Sequence, residues 1–152
     1  MKKLFDYMLD KKQQATLTEY FGNQIDIEIP ETIDGNPVVA IGCDIFADNT
    51  SLNSVVIPDC IKTICEDAFG GCSNLTKVIL SPKSQLTKID EYAFFGCTRL
   101  SNFFVPNKLK SIGDYAFANC TNLTIIDFSQ NSAIANIGWN AFEKCTSLQT
   151  SI

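Results

Sequence analysis

The groups in this sequence with reactive potential are cysteine thiols and carboxylates: seven Cys and seventeen Asp and Glu, with no His. Without an imidazole there is no Ser-His or Cys-His nucleophile and no histidine metal ligand. Four cysteines, Cys72, Cys97, Cys120 and Cys145, each stand three residues after a phenylalanine, and Asn49 takes that place once more upstream. Three fates are open to such a column: reduced thiols packed in a core, disulfides, or a thiolate metal site. Reduced thiols are favoured, because buried Cys behaves as a small apolar residue, the cysteine count is odd, and a line of sulfurs does not converge tetrahedrally. Cys43, Cys60 and Cys65 lie outside the column. Cys65 fills the place of Gly113 and Gly138, Cys43 sits one position further along its repeat, and no neighbouring base is expected to activate either. Glu66, Asp67, Asp90, Glu91 and Asp114 follow one another along the repeats. Paired catalytic carboxylates or Ca²⁺ ligands are one reading, and a solvated row at the starts of short helices is the other. The second is favoured, since nothing directs these groups into a pocket. No catalytic residue, cofactor or metal is therefore expected, and the chain is not expected to be an enzyme.

The elements that carry these side chains are set by a repeat. Phe46, Phe69, Phe94, Phe117 and Phe142 are spaced by 23, 25, 23 and 25 residues. Five residues before each stands Ile41, Ile64, Ile89, Ile112 or Ile137. Three earlier is a second aliphatic, from Val38 to Ile134, and six after each Phe is a leucine, from Leu52 to Leu148. After each leucine the pattern alternates with period two, as a short strand does, with inward pairs Val55/Ile57, Val78/Leu80, Phe103/Val105 and Ile126/Phe128. Pro58, Pro82 and Pro106 stop three of these strands, because proline has no ladder donor. The two extra residues of alternate repeats fall in the turn after the strand, so that a duplicated 48-residue unit accounts for the spacing. The Ala-Phe segments suit one helical or 3₁₀ turn. One coil cannot bury its apolar side alone; stacked coils form a continuous core.

The pattern Ile-Gly-x-x-Ala-Phe-x-x-Cys-x-x-Leu-x-x-Φ-x-Φ-Pro (Φ, apolar) resembles the BspA-like family of leucine-rich repeats. Residues 64–72 and 112–117 match best, and the similarity covers about residues 16–152. The resemblance implies a right-handed leucine-rich-repeat solenoid of the α/β repeat class, rich in β structure, with short strands and short helical or 3₁₀ turns. It also implies adhesion or protein recognition, often at a bacterial surface, and brings no catalytic residues with it.

Residues 1–40 are expected to form an N-terminal cap and entry segment, and 41–152 five Phe-centred coils, the last incomplete. Gln24–Ile29 alternates as a half-buried strand, with Thr16–Tyr20 as its hairpin partner across Phe21-Gly22-Asn23. Residues 1–14 fit either a strand or a helical face, the strand being favoured. At the other end Ser151 occupies an inward position that is apolar in the other repeats, so the last strand is expected to be unfinished. A fragment or a degenerate terminal repeat is the favoured reading of such an edge; pairing with a second copy is the other, which makes a homodimer the alternative to a protein-binding module. Asp6 and Asp10 interrupt any secretory apolar region, and no run approaches the ~18 apolar residues of a membrane helix. With seven cysteines expected reduced, this favours the cytoplasm; the bacterial surface or secretion is the alternative if an upstream signal has been removed.

The net charge of −5 and scattered basic residues argue against nucleic acid. An unidentified protein is the expected partner. Residues two and four after each leucine point outward from the strand face. The outward positions expected to bind are Val56, Lys77, Ile79, Asn102, Phe104, Ile125 and Asp127, and Thr150 and Ile152 continue the same columns. Val56, Ile79 and Phe104 are adjacent apolar members. The competing reading is ordinary stacking of β-formers on an exposed sheet. A second aromatic group, Tyr92, Phe95, Tyr115 and Trp139, lies on the turn side, as an interface or as a lid over the turns.

Overall fold

The computed structural model describes residues 2–149. It is a β-solenoid of about five turns built from short strands. Two strands, β1 (Phe5–Leu9) and β2 (Ala15–Tyr20), form an antiparallel hairpin that covers the first coil. β3 (Asp26–Glu28), β4 (Thr32–Ile33) and β5 (Asn36–Ile41) lead into it. The first four coils then each contribute a three-residue strand after the leucine, and the second to fifth each a two-residue strand ending on the isoleucine. The first set is β6 (Ser54–Val56), β8 (Lys77–Ile79), β10 (Asn102–Phe104) and β12 (Ile125–Asp127). The second is β7 (Thr63–Ile64), β9 (Lys88–Ile89), β11 (Ser111–Ile112) and β13 (Asn136–Ile137).

The isoleucine strands make one sheet, ordered β1-β2-β5-β7-β9-β11-β13, with β4 on β5. A two-residue strand is too short to leave a period-two signal, so the sequence pattern shows only its isoleucine. The cap also differs from expectation. β2 pairs with β1 rather than with the following strand, while β3 joins β6 in parallel and buries Ile27 between exposed Asp26 and Glu28. The antiparallel return lets the hairpin lay Leu17 beside Ile41, and Gly42 passes so close that a Cβ would lie 2.1 Å from the Leu17 carbonyl oxygen. The strand over residues 5–9 agrees with the favoured reading. The unfinished strand at Ser151, and the outward positions Thr150 and Ile152, lie outside the described residues.

The described residues contain no helix, which corrects the expected helical or 3₁₀ turns. The reason is a pair of left-handed residues in every coil, two before and two after the repeat phenylalanine: Asp44 and Asp48, Asp67 and Gly71, Tyr92 and Gly96, Tyr115 and Asn119, Asn140 and Lys144. Alternating hands prevent helical propagation and turn every second peptide along the solenoid. In the first coil the N–H groups of Asp44, Phe46 and Asp48 donate to the carbonyls of Glu66, Ala68 and Gly70 in the next, at 3.1, 2.9 and 2.7 Å. The same three bonds recur at each junction through to Trp139, Ala141 and Glu143. The intervening peptides close tight turns within their own coil, as Ala47 N–H to Asp44 C=O and Asn49 N–H to Phe46 C=O. Buried backbone in this segment is thus paired without helix or strand.

Stacking at this pitch puts the phenylalanines face to face. Ring centroids of Phe46, Phe69, Phe94, Phe117 and Phe142 succeed one another at 5.1, 5.2, 5.2 and 5.5 Å, nearly parallel. Phe5 and Tyr20 of the cap close the row against Phe46. The longer turns are sealed from within: Ser84 is buried, and the Asn131 side chain donates to the Pro106 and Leu109 carbonyls while accepting from Ala133 and Ile134.

The left-handed positions give a test free of packing effects. A methyl on Gly96 (φ 71°) would meet nothing nearer than 3.9 Å. Gly96→Ala should therefore lower unfolding free energy by about 1–2 kcal/mol through the backbone alone, measured by urea denaturation. An unchanged midpoint would mean that the left-handed turn is not required there.

Candidate protein-binding face

The leucine-following strands form the outward sheet face, and their burial agrees with the expected alternation. Val55, Ile57, Phe103 and Val105 are buried, whereas Lys77, Ile79, Asn102 and Ile125 are exposed and Val56, Phe104 and Asp127 half-buried. Asp127 accepts the Ser129 amide at 2.8 Å, and hydrogen bonds from Ser129 hold its carboxyl below the ordinary range.

This face is not continuous. β3-β6-β8 is one sheet and β10-β12 another. Ile57 N–H reaches Ile79 C=O, and Val105 N–H reaches Asp127 C=O, but no corresponding bond joins Leu80 to Phe104 among the described residues. The interruption falls where the inward residue changes from Val78 to Phe103. That ring packs on Phe94 and Phe117, at 5.5 and 4.9 Å, and so ties β10 to the third and fourth coils rather than the second. A hollow of about 360 Å³ opens at the break, between Val78, Ile79 and Leu80 on one side and Asn102 and Phe104 on the other. Val78 and Leu80, expected inward, are half-buried, and so are Ile126 and Phe128, the inward pair of β12. A second hollow of about 570 Å³ runs beside it across Val56 and Ile79, rimmed by Glu28, Glu31 and Asp59. Of the expected site residues, the structure gathers Val56, Lys77, Ile79, Asn102 and Phe104 around these two hollows, and sets Ile125 and Asp127 one strand away.

On the turn side, Tyr92 and Tyr115 stack in parallel at 5.2 Å, Phe95 meets Tyr92 edge-on, and Trp139 packs on Tyr115 while remaining 72% exposed. Both tyrosines hold left-handed backbone, unusual for a bulky residue, and their stacking offsets part of that cost. The acidic row does not sit on helix dipoles. Asp90 pairs with Lys88 at 3.0 Å and Asp114 accepts the Trp139 amide at 2.6 Å. Asp67 is one of the left-handed residues, and burial with nearby Asp44 and Asp48 raises its pKa.

The repeat geometry agrees with a sequence match. A family model of the BspA type leucine rich repeat region fits residues 39–152, in six copies. The chain belongs to this family. No curated protein matches it by sequence. Among solved structures, the leucine rich repeat protein of T. pallidum is 30% identical with a TM-score of 0.87, over 95% of this chain and 66% of that one. A leucine rich cell surface protein from Faecalibacterium prausnitzii A2-165 (24% identity, TM-score 0.67) matches 99% of this chain and 53% of its own. The pneumococcal vaccine antigen PcpA (20% identity, TM-score 0.69) matches 97% and 49% respectively. This chain thus spans about half to two thirds of the length of these relatives, and the last two show likeness of fold alone.

In this family member the cysteine column has a definite partner. Cys72, Cys97, Cys120 and Cys145 each direct the thiol to the carbonyl of the preceding coil's phenylalanine, Phe46, Phe69, Phe94 and Phe117, at 3.0–3.2 Å. All seven cysteines are free thiols. Burial pushes Cys72 and Cys120 up to about 12 and Cys97 well above its ordinary value.

An unfolded chain ionises such thiols near 9.0, so between that pH and about 12 the folded state binds more protons than the unfolded one. Their contribution to stability is complete below pH 9 and is lost as the pH rises toward 12. The unfolding free energy from urea denaturation should fall above pH 9, by up to about 1.4 kcal/mol per thiol per pH unit, and Cys72→Ala with Cys120→Ala should flatten that fall. Equal alkaline slopes for wild type and double variant would refute the assignment.

Proposed function

We propose that this chain is a non-enzymatic protein-binding module that takes an extended polypeptide on its outward sheet face. The observation that carries the reading is the break between β8 and β10. It leaves two strand edges unpaired beside Ile79 and Phe104, with the apolar floor of Val78 and Leu80 beneath. Unpaired strand edges bind extended backbone, and half-buried apolar and aromatic side chains in a hollow provide the anchoring contacts. Beside Ile79, Glu28, Glu31 and Asp59 rim the second hollow without a basic residue among its lining. The preferred ligand is therefore an extended segment with apolar side chains for the break and a basic one for this rim. The T. pallidum and F. prausnitzii proteins are bacterial, and the latter is described as a cell surface protein. Recognition of a protein at a bacterial surface is consistent with that company.

Selection from a displayed random-peptide library, followed by calorimetry on the enriched sequences, tests the proposal. Phe104→Ala and Ile79→Ser should each weaken binding about tenfold or more, with circular dichroism unchanged, while Trp139→Ala on the turn side leaves it intact. Binding that survives both face substitutions and is lost with Trp139→Ala would assign the ligand to the turn side instead.

A further inference from the structure

The structure brings together two thiols that column alignment keeps apart. Cys65 occupies the position four before its phenylalanine, and Cys43 the position three before the preceding one. Ile41 pairs with Ile64, the Cys65 N–H donates to Ile41 C=O at 2.9 Å, and the Asp44 N–H donates to Glu66 C=O at 3.1 Å. Cys43 runs between those two bonds, alongside Cys65, at the ~4.8 Å spacing of neighbouring strands. That spacing falls within the Cα separations of about 4.4–6.8 Å across which disulfides close.

The neighbour of Cys65 follows from its column. Gly113 and Gly138 hold the equivalent place, and a Cβ there would lie 2.5 Å from the Glu91 nitrogen and 2.3 Å from the Asp114 nitrogen. Glu91 and Asp114 are the counterparts of Cys43 in their coils, so the backbone at this column lies hard against the residue that is cysteine in the first coil. The Cys43 and Cys65 thiols adjoin closely enough for Cys43 to raise the Cys65 pKa. Cys43 is exposed and Cys65 half-buried, which leaves the pair open to a small reagent. The column thiols are turned inward onto carbonyls, and Cys60 is directed to Glu31 C=O at 3.7 Å.

We propose that Cys43 and Cys65 form an oxidation site, closing to an intramolecular disulfide that ties the first coil to the second. With a small-molecule disulfide such as oxidised glutathione as oxidant, the Cys43 thiolate attacks one sulfur, forms a mixed disulfide and releases one glutathione, which takes up a proton. Cys65 then loses its proton to solvent, attacks the Cys43 sulfur and expels the second glutathione. Two protein thiols are oxidised and one small disulfide is reduced to two thiols. The order follows from exposure, and from burial and the neighbouring Cys43 thiol, which hold the Cys65 proton up to about 11. Closure should therefore quicken by about tenfold per pH unit around neutrality.

The test incubates the reduced, folded chain with oxidised glutathione at mildly alkaline pH. Acid quenching, alkylation in denaturant and mass spectrometry follow, with cleavage at Glu66 to separate Cys65 from Cys72 and at Lys62 to separate it from Cys60. The expected product has lost two hydrogens, carries a Cys43–Cys65 bridge and retains the other five of its seven cysteines as thiols. Cys65→Ser should halt at glutathione on Cys43, and Cys43→Ser should form no bridge. A wild-type end product with glutathione left on Cys43, or a bridge to Cys60 or between chains, overturns the proposal.

Discussion

Everything in this solenoid depends on the columns of hydrogen-bonded peptides that run through its turn segments. The peptide whose carbonyl accepts from the coil before is the same one whose N–H donates to the coil after, and three such columns pass each phenylalanine. The rings are carried by this backbone, so their face-to-face row at just over 5 Å follows from the pitch rather than setting it. The same pitch brings each column thiol onto a phenylalanine carbonyl. It also crowds the position four before phenylalanine, where glycine recurs and Cys65 and Asp90 are the exceptions. Length variation survives only where these columns are absent, in the turn after the leucine-following strand.

Much of this was legible from residue spacing. Phe, Ile and Leu columns located the coils, and alternation after each leucine located the outward strand face. The turn conformation is harder to read, although its signal is present. The position two after phenylalanine holds Asp, Gly, Gly, Asn and Lys, mostly residues that tolerate left-handed backbone. The partner position holds Tyr92 and Tyr115, which masks the pattern. The pairing of Cys43 with Cys65 is hidden for a geometric reason: columns compare equivalent positions, whereas neighbours across coils are offset by one residue in this segment.

The candidate site shows the same division. Which side chains point outward was readable; that β8 and β10 part company was not, because it comes from one inward substitution, Phe103 in a row otherwise made of Val55, Val78 and Ile126. A large ring that finds its partners in the third and fourth coils leaves the second without a pairing edge. The unpaired edges of β8 and β10, with half-buried Val78 and Leu80 beside them, are what distinguish this stretch of the face.

The peptide columns also have an electrical sense. Each peptide carries a dipole of ≈ 3.5 D, and along these columns the dipoles lie head to tail. Carbonyls all face the N-terminal side and N–H groups the C-terminal side, as in the series from Asp44 to Glu143. The turn side is therefore polarised lengthwise, negative toward the cap and positive toward the last coil. Each added repeat lengthens that field without adding a single charged residue.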